Sequence, residues 1–336
     1  MKILLTVMLL LFLSCTNSDT IIQETKDDNV LVAGGMNNYK SAGLWKGGSF
    51  IKLLESDSFS TCTDVFVSAD TIYSCGWSQV NGKMEGALWK NGSKILLTNN
   101  DAQASPQVIK ISGDEVYVAG QVKASDDVYF GAAYWKNGVL VRLDQSRVSV
   151  AFDIAVKDSN VYVVGFAGSG YPKEYAMLWV NGIATKLNSE NYSHANGVTV
   201  IGSDVYVSGF SKDAIGQSKA VYWKNGIQYD LTPTNVIGGA SGIFCDGTDI
   251  YISGSLSTSD GLRSPVYWKN GMLTSLGDYD EYNTANAIYV KDGDVYVTGT
   301  YGSAAKYDAV YWKNGTRITL QKSDSASSYG QGIFVK

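Results

Sequence analysis

Few residues of this chain have the type and spacing that catalysis or metal binding requires. The single histidine is His194, and Asp64, Gln107 and Asp153 stand at matching places in three internal repeats. A histidine can act as a general acid or base when a partner orients it, and paired carboxylates carry out glycoside hydrolysis. The same oxygens could hold a hard cation with water, or be solvated side chains at loop ends. The sequence leaves these alternatives open.

Motifs that would indicate a specific reaction are absent from the sequence. It contains no phosphate loop, no H-E-x-x-H, no nucleophile elbow and no C-x-x-C pair. The acidic segment from Asp278 to Tyr282 has a D-x-D pattern but lacks the glycine and spacing of a calcium loop. We therefore expect no cofactor and no metal site, and enzymatic activity is the less favoured interpretation.

Aromatic residues between the predicted strands are candidates for ligand binding, because exposed aromatic side chains anchor sugars and protein partners. The chain has 22 tyrosines, so some would fall in loops by chance. The candidates for this surface are Trp77, Tyr129, Tyr171, Tyr279, Tyr282 and Tyr329.

Two motifs that must position these residues recur through the chain. A Trp-x-Asn-Gly type motif recurs seven times, with tryptophans spaced 44 to 46 residues apart, and a V-Y-V-x-G type motif keeps step with it. The tryptophans are Trp45, Trp89, Trp135, Trp179, Trp223, Trp268 and Trp312. Each repeat contains four strand-like runs, and Asn-Gly joins the last two as a type I′ hairpin turn.

Four short antiparallel strands in a repeat of about 45 residues are typical of a β-propeller blade. The sequence thus predicts an all-β, seven-bladed propeller over residues 29–336, with one tryptophan packed between each pair of neighbouring blades. The chain begins with a second strand at Val30 and ends with a first strand, Gly332 to Lys336. We expect that last strand to pair with the N-terminal blade and close the ring.

The pattern A-x-[YL]-W-x-N-G with a preceding V-Y-V-x-G resembles the HAF-type extracellular repeats of bacterial secreted proteins and, more loosely, kelch-like propellers. The resemblance covers nearly all of residues 29–336, although the double glycine of kelch repeats and the Gly-His and Trp-Asp pairs of WD40 blades are missing. It implies a propeller outside the cytoplasm and no particular activity.

The two kinds of connection predict two unlike faces. Tight turns join strands one and two and strands three and four on one side, the tight-turn face. Long, dissimilar loops lie on the other side, the long-loop face, which predicts a binding face unless these loops have simply drifted. We expect Asp64, Gln107, Asp153 and His194 on that face, at the mouth of the central channel.

The N-terminus predicts export. Lys2, the apolar run from Ile3 to Leu13 and Ser14-Cys15 form a signal peptide over residues 1–15 with a lipobox-like Cys15. Residues 16–28 are polar and predict a flexible tether. Lipid anchoring at the bacterial outer membrane or cell surface is the favoured location. Ordinary cleavage, leaving a periplasmic or secreted protein, is the alternative.

The remaining cysteines could be free thiols or form a disulfide, and the net charge of the chain argues against one class of partner. Export permits disulfides, and Cys62 and Cys75 lie close enough in the predicted hairpin for a bridge, although buried free thiols are favoured. A net charge of −5 argues against nucleic-acid binding. We expect a monomer that meets the membrane only through its lipid anchor.

Three functions fit these observations. The favoured one is a module on the cell envelope that binds a protein or glycan ligand. The alternatives are a carbohydrate-active enzyme with carboxylates at the channel mouth and a purely structural envelope protein. A contiguous aromatic patch on the long-loop face would favour binding. A deep funnel with two carboxylates, or His194 beside one, would favour catalysis, and a structural protein would show neither.

Overall fold

The computed structural model describes residues 27–54, 59–98, 102–145, 147–187, 192–233, 235–321 and 326–336. The predictions for residues 1–15, including Cys15, and for residues 16–26 of the tether lie outside these ranges. Within them, no helix is long and apolar enough to cross a membrane.

Seven four-stranded antiparallel sheets make up the molecule, and the described residues contain no helix. The predicted seven-bladed β-propeller is therefore confirmed. Each sheet has an inner strand beside the axis and three further strands outside it. The inner strands, from the first blade onward, are β28 (Tyr329–Val335), β4 (Ser60–Ser68), β8 (Gln103–Ser112), β12 (Val148–Lys157), β16 (Ser193–Ile201), β20 (Ile237–Asp246) and β24 (Thr284–Lys291).

The outer strands follow in the same blade order. The second strands are β1 (Val30–Met36), β5 (Thr71–Val80), β9 (Glu115–Lys123), β13 (Asn160–Gly168), β17 (Asp204–Lys212), β21 (Asp249–Ser257) and β25 (Asp294–Ser303). The third strands are β2 (Ser41–Lys46), β6 (Lys83–Lys90), β10 (Gly131–Lys136), β14 (Glu174–Val180), β18 (Ser218–Lys224), β22 (Arg263–Lys269) and β26 (Lys306–Lys313). The fourth strands are β3 (Ser49–Lys52), β7 (Ser93–Leu96), β11 (Val139–Asp144), β15 (Ile183–Lys186), β19 (Ile227–Asp230), β23 (Met272–Ser275) and β27 (Thr316–Thr319).

The two ends of the described chain close the ring, as predicted. Strand β28 pairs antiparallel with β1, from Val30 opposite Val335 to Gly35 opposite Tyr329. It also packs between the inner strands of the two neighbouring blades, β24 and β4. Closure therefore pairs the inner edge of β1, which could otherwise pair with another chain.

The recurring tryptophans fill the spaces between blades. All seven are fully buried, and Trp223, for example, packs with apolar residues of two adjacent blades such as Val164 and Val207. Sheets with two apolar faces can bury both of them only between other sheets. Burial of these large rings therefore stabilises the ring of blades directly.

The motif glycine lies inside each second strand, not at its end as the repeat suggested, and it permits a bulge in the inner strand. A Cβ at Gly209 would lie 2.1 Å from the backbone oxygen of His194, and one at Gly165 would lie 1.8 Å from that of Val150. All seven inner strands shift register beside this glycine, leaving extra unpaired residues that turn toward the axis. The bulged residues are Thr63, Gln107, Phe152, Asn196, Ser241 with Gly242, Asn286 and Gln331.

Residues of both recurring motifs together form a corner on the tight-turn face of the blade. Asn225 adopts a left-handed φ of 51°, and its Oδ1 accepts a hydrogen bond from the backbone nitrogen of Val205 at 2.9 Å. Its amide donates to Asp204, which also pairs with Lys224 at 2.9 Å, and that ammonium lies over the ring of Tyr206. The corners of the next two blades repeat this arrangement around Asn270 and Asn314.

Candidate functional site

A cavity of about 630 Å³ lies on the axis, enclosed by all seven inner strands. Its lining residues run from the ring of bulges to the tight-turn ends of those strands. Asp64, Gln107 and Asp153 do line it, but they lie within β4, β8 and β12 at the bulges. Their predicted position at loop ends on the long-loop face is corrected, because the bulge turns mid-strand residues toward the axis.

The register also corrects the alignment of the three residues. Gln107 is the extra residue of its bulge and matches Thr63 and Phe152, whereas Val108 matches Asp64 and Asp153. The amide of Gln107 donates to the hydroxyl of Ser105 at 3.0 Å. Gln107 therefore does not form a set with the two carboxylates.

The two carboxylates join neighbouring blades. Oδ2 of Asp64 accepts a hydrogen bond from the backbone nitrogen of Ile109 at 3.0 Å, and Oδ2 of Asp153 accepts one from Val198 at 2.9 Å. Oδ1 of Asp153 also accepts from its neighbour Ile154 at 2.8 Å. Each carboxylate thus supplies an acceptor to a backbone donor on the inner strand of the next blade.

Bulged residues also connect neighbouring blades, but through side-chain donors that bond to backbone carbonyls. The side-chain amide of Asn196 donates to the carbonyl of Ala240 at 2.8 Å, and that of Asn286 donates to Gly330 at 2.7 Å. Thr63 donates to the carbonyl of Pro106 at 3.1 Å. This girdle of bonds between blades gives Asp64 and Asp153 a structural role beside any role in binding.

Two residues beyond the carboxylate position, each inner strand contributes one more side chain to the cavity. These seven residues, the axial ring, are Phe66, Lys110, Ala155, Thr199, Phe244, Tyr289 and Phe334. Four consecutive blades contribute aromatic rings, in the spatial order Phe244, Tyr289, Phe334 and Phe66, with centroids 4.7, 5.0 and 4.9 Å apart. We call these four residues the aromatic arc. Sequence reasoning missed it, although counting two residues on from each carboxylate position would have found it.

Lys110 follows the aromatic arc in the axial ring and is the second group that the sequence did not reveal. Its ammonium lies 3.9 Å from Oδ2 of Asp64, and 39% of its side chain remains accessible. Burial lowers the pKa of Lys110, but the charges of Asp64 and Asp153 outweigh it, and the pKa is raised. Lys110 therefore stays protonated as a cation in the cavity wall.

Burial shifts the pKa values of the two acids upward, opposite to its effect on Lys110. It raises the pKa of Asp153 to about 6, against the pull of Lys110 and of the backbone donors Val198 and Ile154. It also raises the pKa of Asp64, whose nearest counter-charge is Lys110. Desolvation outweighs pairing at both carboxyl groups.

His194 lies outside this cavity, in an aromatic cluster on the long-loop face. Its Nε2 is 2.8 Å from Oε2 of Glu174, and its ring stacks on Phe166 at 4.1 Å. Phe210 and Tyr192 pack against its other sides, with centroids 4.9 and 5.1 Å away. Burial lowers the pKa of His194, and the Glu174 carboxylate opposes that shift.

The carboxylate partner of His194 meets one sequence-based criterion for an enzyme. However, only about 15% of each of these two side chains is accessible, and neither lines the axial cavity. The imidazole, closed in by rings, packs the junction of the fourth and fifth blades. Most of its surface is therefore covered by neighbouring side chains.

The predicted surface aromatics have mixed outcomes. Tyr129, Tyr171, Tyr279 and Tyr282 are exposed, with Tyr171 reaching 69%, but no ring contact joins these four in the described residues. Tyr329 is only 2% exposed within β28, and Trp77 lies in β5 rather than in a loop. Strand one begins earlier than the repeat suggested, which places Tyr329 in the core. The predicted loop position of these two residues is wrong.

The cysteines and acidic groups form no cluster of metal-ligand type in the described part of the chain. No group of three or more His, Cys, Asp or Glu side chains is placed to hold a metal ion there. Cys62, Cys75 and Cys245 are free thiols, and the first two are buried, in agreement with the favoured prediction. Burial raises the pKa of Cys75, so this thiol is not activated.

Comparison with solved structures supports the fold. The chain is similar to a puromycin-hydrolysing peptidase of Mycobacterium tuberculosis, with a TM-score of 0.58 and 11% identity over 90% of this chain and 55% of that one. A puromycin hydrolase gives 0.55 and 8% over 87% and 52%, and a prolyl endopeptidase gives 0.53 and 10% over 93% and 51%. The chain spans about half the length of these proteins. At such low identity the likeness shows a shared propeller fold.

No protein-family model matches the chain, and no curated protein matches it significantly. The HAF-type and kelch-like resemblance is thus not confirmed.

Proposed function

We propose that this chain is an exported binding module that holds a small ligand in its axial cavity. The observation that carries the proposal is the unequal axial ring, in which a contiguous aromatic arc faces the small residues Ala155 and Thr199. A cavity of about 630 Å³ has the size of a drug-like ligand site, and aromatic walls with a few polar groups are typical of such sites.

The geometry favours binding over carboxylate catalysis. Asp64 and Asp153 each bond to a backbone nitrogen of the following blade, so they are engaged in joining blades. The contiguous aromatic set lies along the axis, which moves the proposed site from the long loops to the cavity. The exposed tyrosines of the long-loop face then remain candidates for contact with a larger partner.

Export and lipid attachment belong to the same proposal. The signal-like segment and Cys15 support attachment of the propeller to the bacterial outer membrane or cell surface through residues 16–28. Replacing Cys15 with serine should abolish incorporation of labelled fatty acid and release the protein from membranes. Retention of both properties in that variant would refute the anchor.

Filling the cavity tests the binding function. Four ring positions already hold aromatic side chains, so Ala155→Phe adds a ring at a layer that accommodates them. The matched control is Ala184→Phe, the same substitution at an exposed position in the outermost strand of the same blade. Small molecules that bind the parent protein in a ligand-observed NMR screen should lose binding with Ala155→Phe and keep it with Ala184→Phe. Equal binding by both variants would rule out the axial cavity.

A further inference from the structure

We propose that the axial cavity binds a small organic cation, such as an alkylated ammonium group, held by the aromatic arc and a lining of net negative charge. This inference rests on the proposed function and assigns the chemical class of its ligand.

The net charge of the residues that line the cavity indicates the charge of the ligand. Among the described residues that line the cavity, two carboxylic acids, Asp64 and Asp153, stand against one strongly basic side chain, Lys110. With all three groups ionised, the lining carries a net charge of −1. An uncompensated charge away from water is unfavourable, so a positive ligand would restore neutrality.

Asp153 is the acid that forms no close ion pair. Lys110 lies within ion-pair distance of Asp64, whereas no basic side chain of the described residues lies within 4.0 Å of the Asp153 carboxylate. The backbone donors Val198 and Ile154 stabilise its charge but do not cancel it. The raised pKa of Asp153 agrees with this incomplete compensation.

The aromatic arc supplies the complementary surface. A cation over an aromatic face is attracted by the negative electrostatic potential of that face, most strongly where water is excluded. Phe244, Tyr289, Phe334 and Phe66 lie side by side with neighbouring rings tilted by 45 to 55°. They curve around one side of the axis, so several faces and edges can meet one alkylated ammonium group.

Charged residues at the tight-turn end of the cavity do not change the expected positive charge of the ligand. Lys157 and Lys291 stand near the tight-turn ends of the inner strands together with Asp158, Asp246 and Asp292. Both signs are present there, and Lys157 and the three acids are solvent-exposed, so salt screens them more strongly than it screens the lining. An anionic ligand would meet the net negative lining, and a neutral sugar would leave the charge of Asp153 unbalanced.

The test compares ligands of one shape and different charge on the full chain. The probes are choline, its uncharged tert-butyl analogue and tert-butylacetate as the anion, with affinities measured by calorimetry or NMR titration. We expect choline to bind at least about fivefold more tightly than the uncharged analogue, and the anion to bind most weakly.

Two charge variants move the result in opposite directions. Lys110→Met should tighten choline binding about fivefold, and Asp153→Asn should weaken it about fivefold, while neither changes binding of the uncharged analogue. Because Asp153→Asn could disturb the girdle, Tyr289→Leu provides a second measurement. It should weaken choline binding more than binding of the uncharged analogue.

The outcomes separate this inference from the proposed function. Absence of saturable choline binding, equal affinity for all three probes, or reversed effects of the charge variants would overturn the cationic ligand. The cavity would then still stand if Ala155→Phe abolishes binding of other small molecules. If choline binds equally well to Ala155→Phe and Ala184→Phe, the axial site itself fails.

Discussion

The tight-turn corners repeat the same side chains in three consecutive blades, whereas the axial ring changes its side chain from blade to blade. Around Asn225, Asn270 and Asn314, the same Asp, Lys and Tyr side chains recur with nearly identical distances. In the axial ring, equivalent backbone positions carry phenylalanine, tyrosine, lysine, alanine and threonine. One backbone repeat therefore supports both uniform and divergent side chains.

The difference has a physical origin. A corner must supply a left-handed residue, an acceptor for a backbone nitrogen and a cap for the turn, and few residue types do all three. A ring position points into a cavity, where the backbone imposes no comparable demand. Departures from the repeat therefore carry information about ligand binding, whereas the repeat itself carries information about the fold.

The largest expected effect compares a packing tryptophan with a ring aromatic. Trp223→Ala should lower the free energy of unfolding by about 4 kcal/mol, because it removes a fully buried ring between two blades. Phe244→Ala should cost about 1.5 kcal/mol, because that side chain is only partly buried beside the cavity. Denaturant unfolding measures both values, and equal losses would remove the distinction between packing and ring positions.

The glycine of the second strand gives the next largest effect. Gly209→Ala should cost about 3 kcal/mol, because the new Cβ would lie 2.1 Å from the backbone oxygen of His194 and force the bulge to move. The matched control is Gly239→Ala, whose Cβ would meet only the Cβ of Phe210, at 4.0 Å. That variant should stay within about 0.5 kcal/mol of the parent. A stable Gly209→Ala protein would contradict the link between this motif and the bulge.

The architecture could be predicted from the sequence because its signals are local and repeated. The Asn-Gly turns, the strand runs and the terminal half-blade each report on neighbouring residues, and seven copies reinforce one another. The bulge could not be predicted in the same way. The alignment of Gln107 with Asp64 was also one position off. Every inner strand has the bulge, and equal spacing to the motif glycine, Gly76 or Gly120, matches Asp64 with Val108.

The candidate site was predicted only in part. Asp64 and Asp153 line the central channel, as their place in the repeat indicated, but they lie within strands and not at the predicted loop ends. Lys110 and the aromatic arc were missed because phenylalanine and tyrosine in a strand are ordinary core residues by type. Only the convergence of seven strands turns them toward a cavity, and the partner of His194 likewise comes from another blade.

Substitutions of the corner asparagine are expected to have a smaller effect on stability. Asn225→Ala should cost about 2 kcal/mol, because it places a Cβ residue without side-chain bonds at a φ of 51°. Asn225→Gly should cost about 1 kcal/mol, because glycine tolerates that φ and loses only the hydrogen bonds. Thr199→Ala in the axial ring should change stability by less than about 0.5 kcal/mol. Equal costs for Asn225→Ala and Asn225→Gly would show that backbone conformation is not what the corner asparagine supplies.

The smallest expected effect contrasts two aspartates by their response to pH. The pKa of Asp153 is raised from 3.8 to about 6 by burial, so between these values the folded protein binds more protons than the unfolded chain. Stability should therefore fall by about 1 kcal/mol as the pH rises from 5 to 6, and Asp153→Asn should remove this component. The pKa of Asp204 at the corner is lowered by hydrogen bonds from Lys224 and Asn225, which gives the opposite sign. Its stabilisation is present above the ordinary pKa and is lost as the pH falls through the lowered value, so Asp204→Asn should reduce stability at neutral pH and flatten the acid limb. Thermal unfolding of the parent protein and the two variants from pH 3 to pH 8 measures the contribution that each aspartate makes to stability. If both contributions changed with pH in the same direction, burial would not govern Asp153.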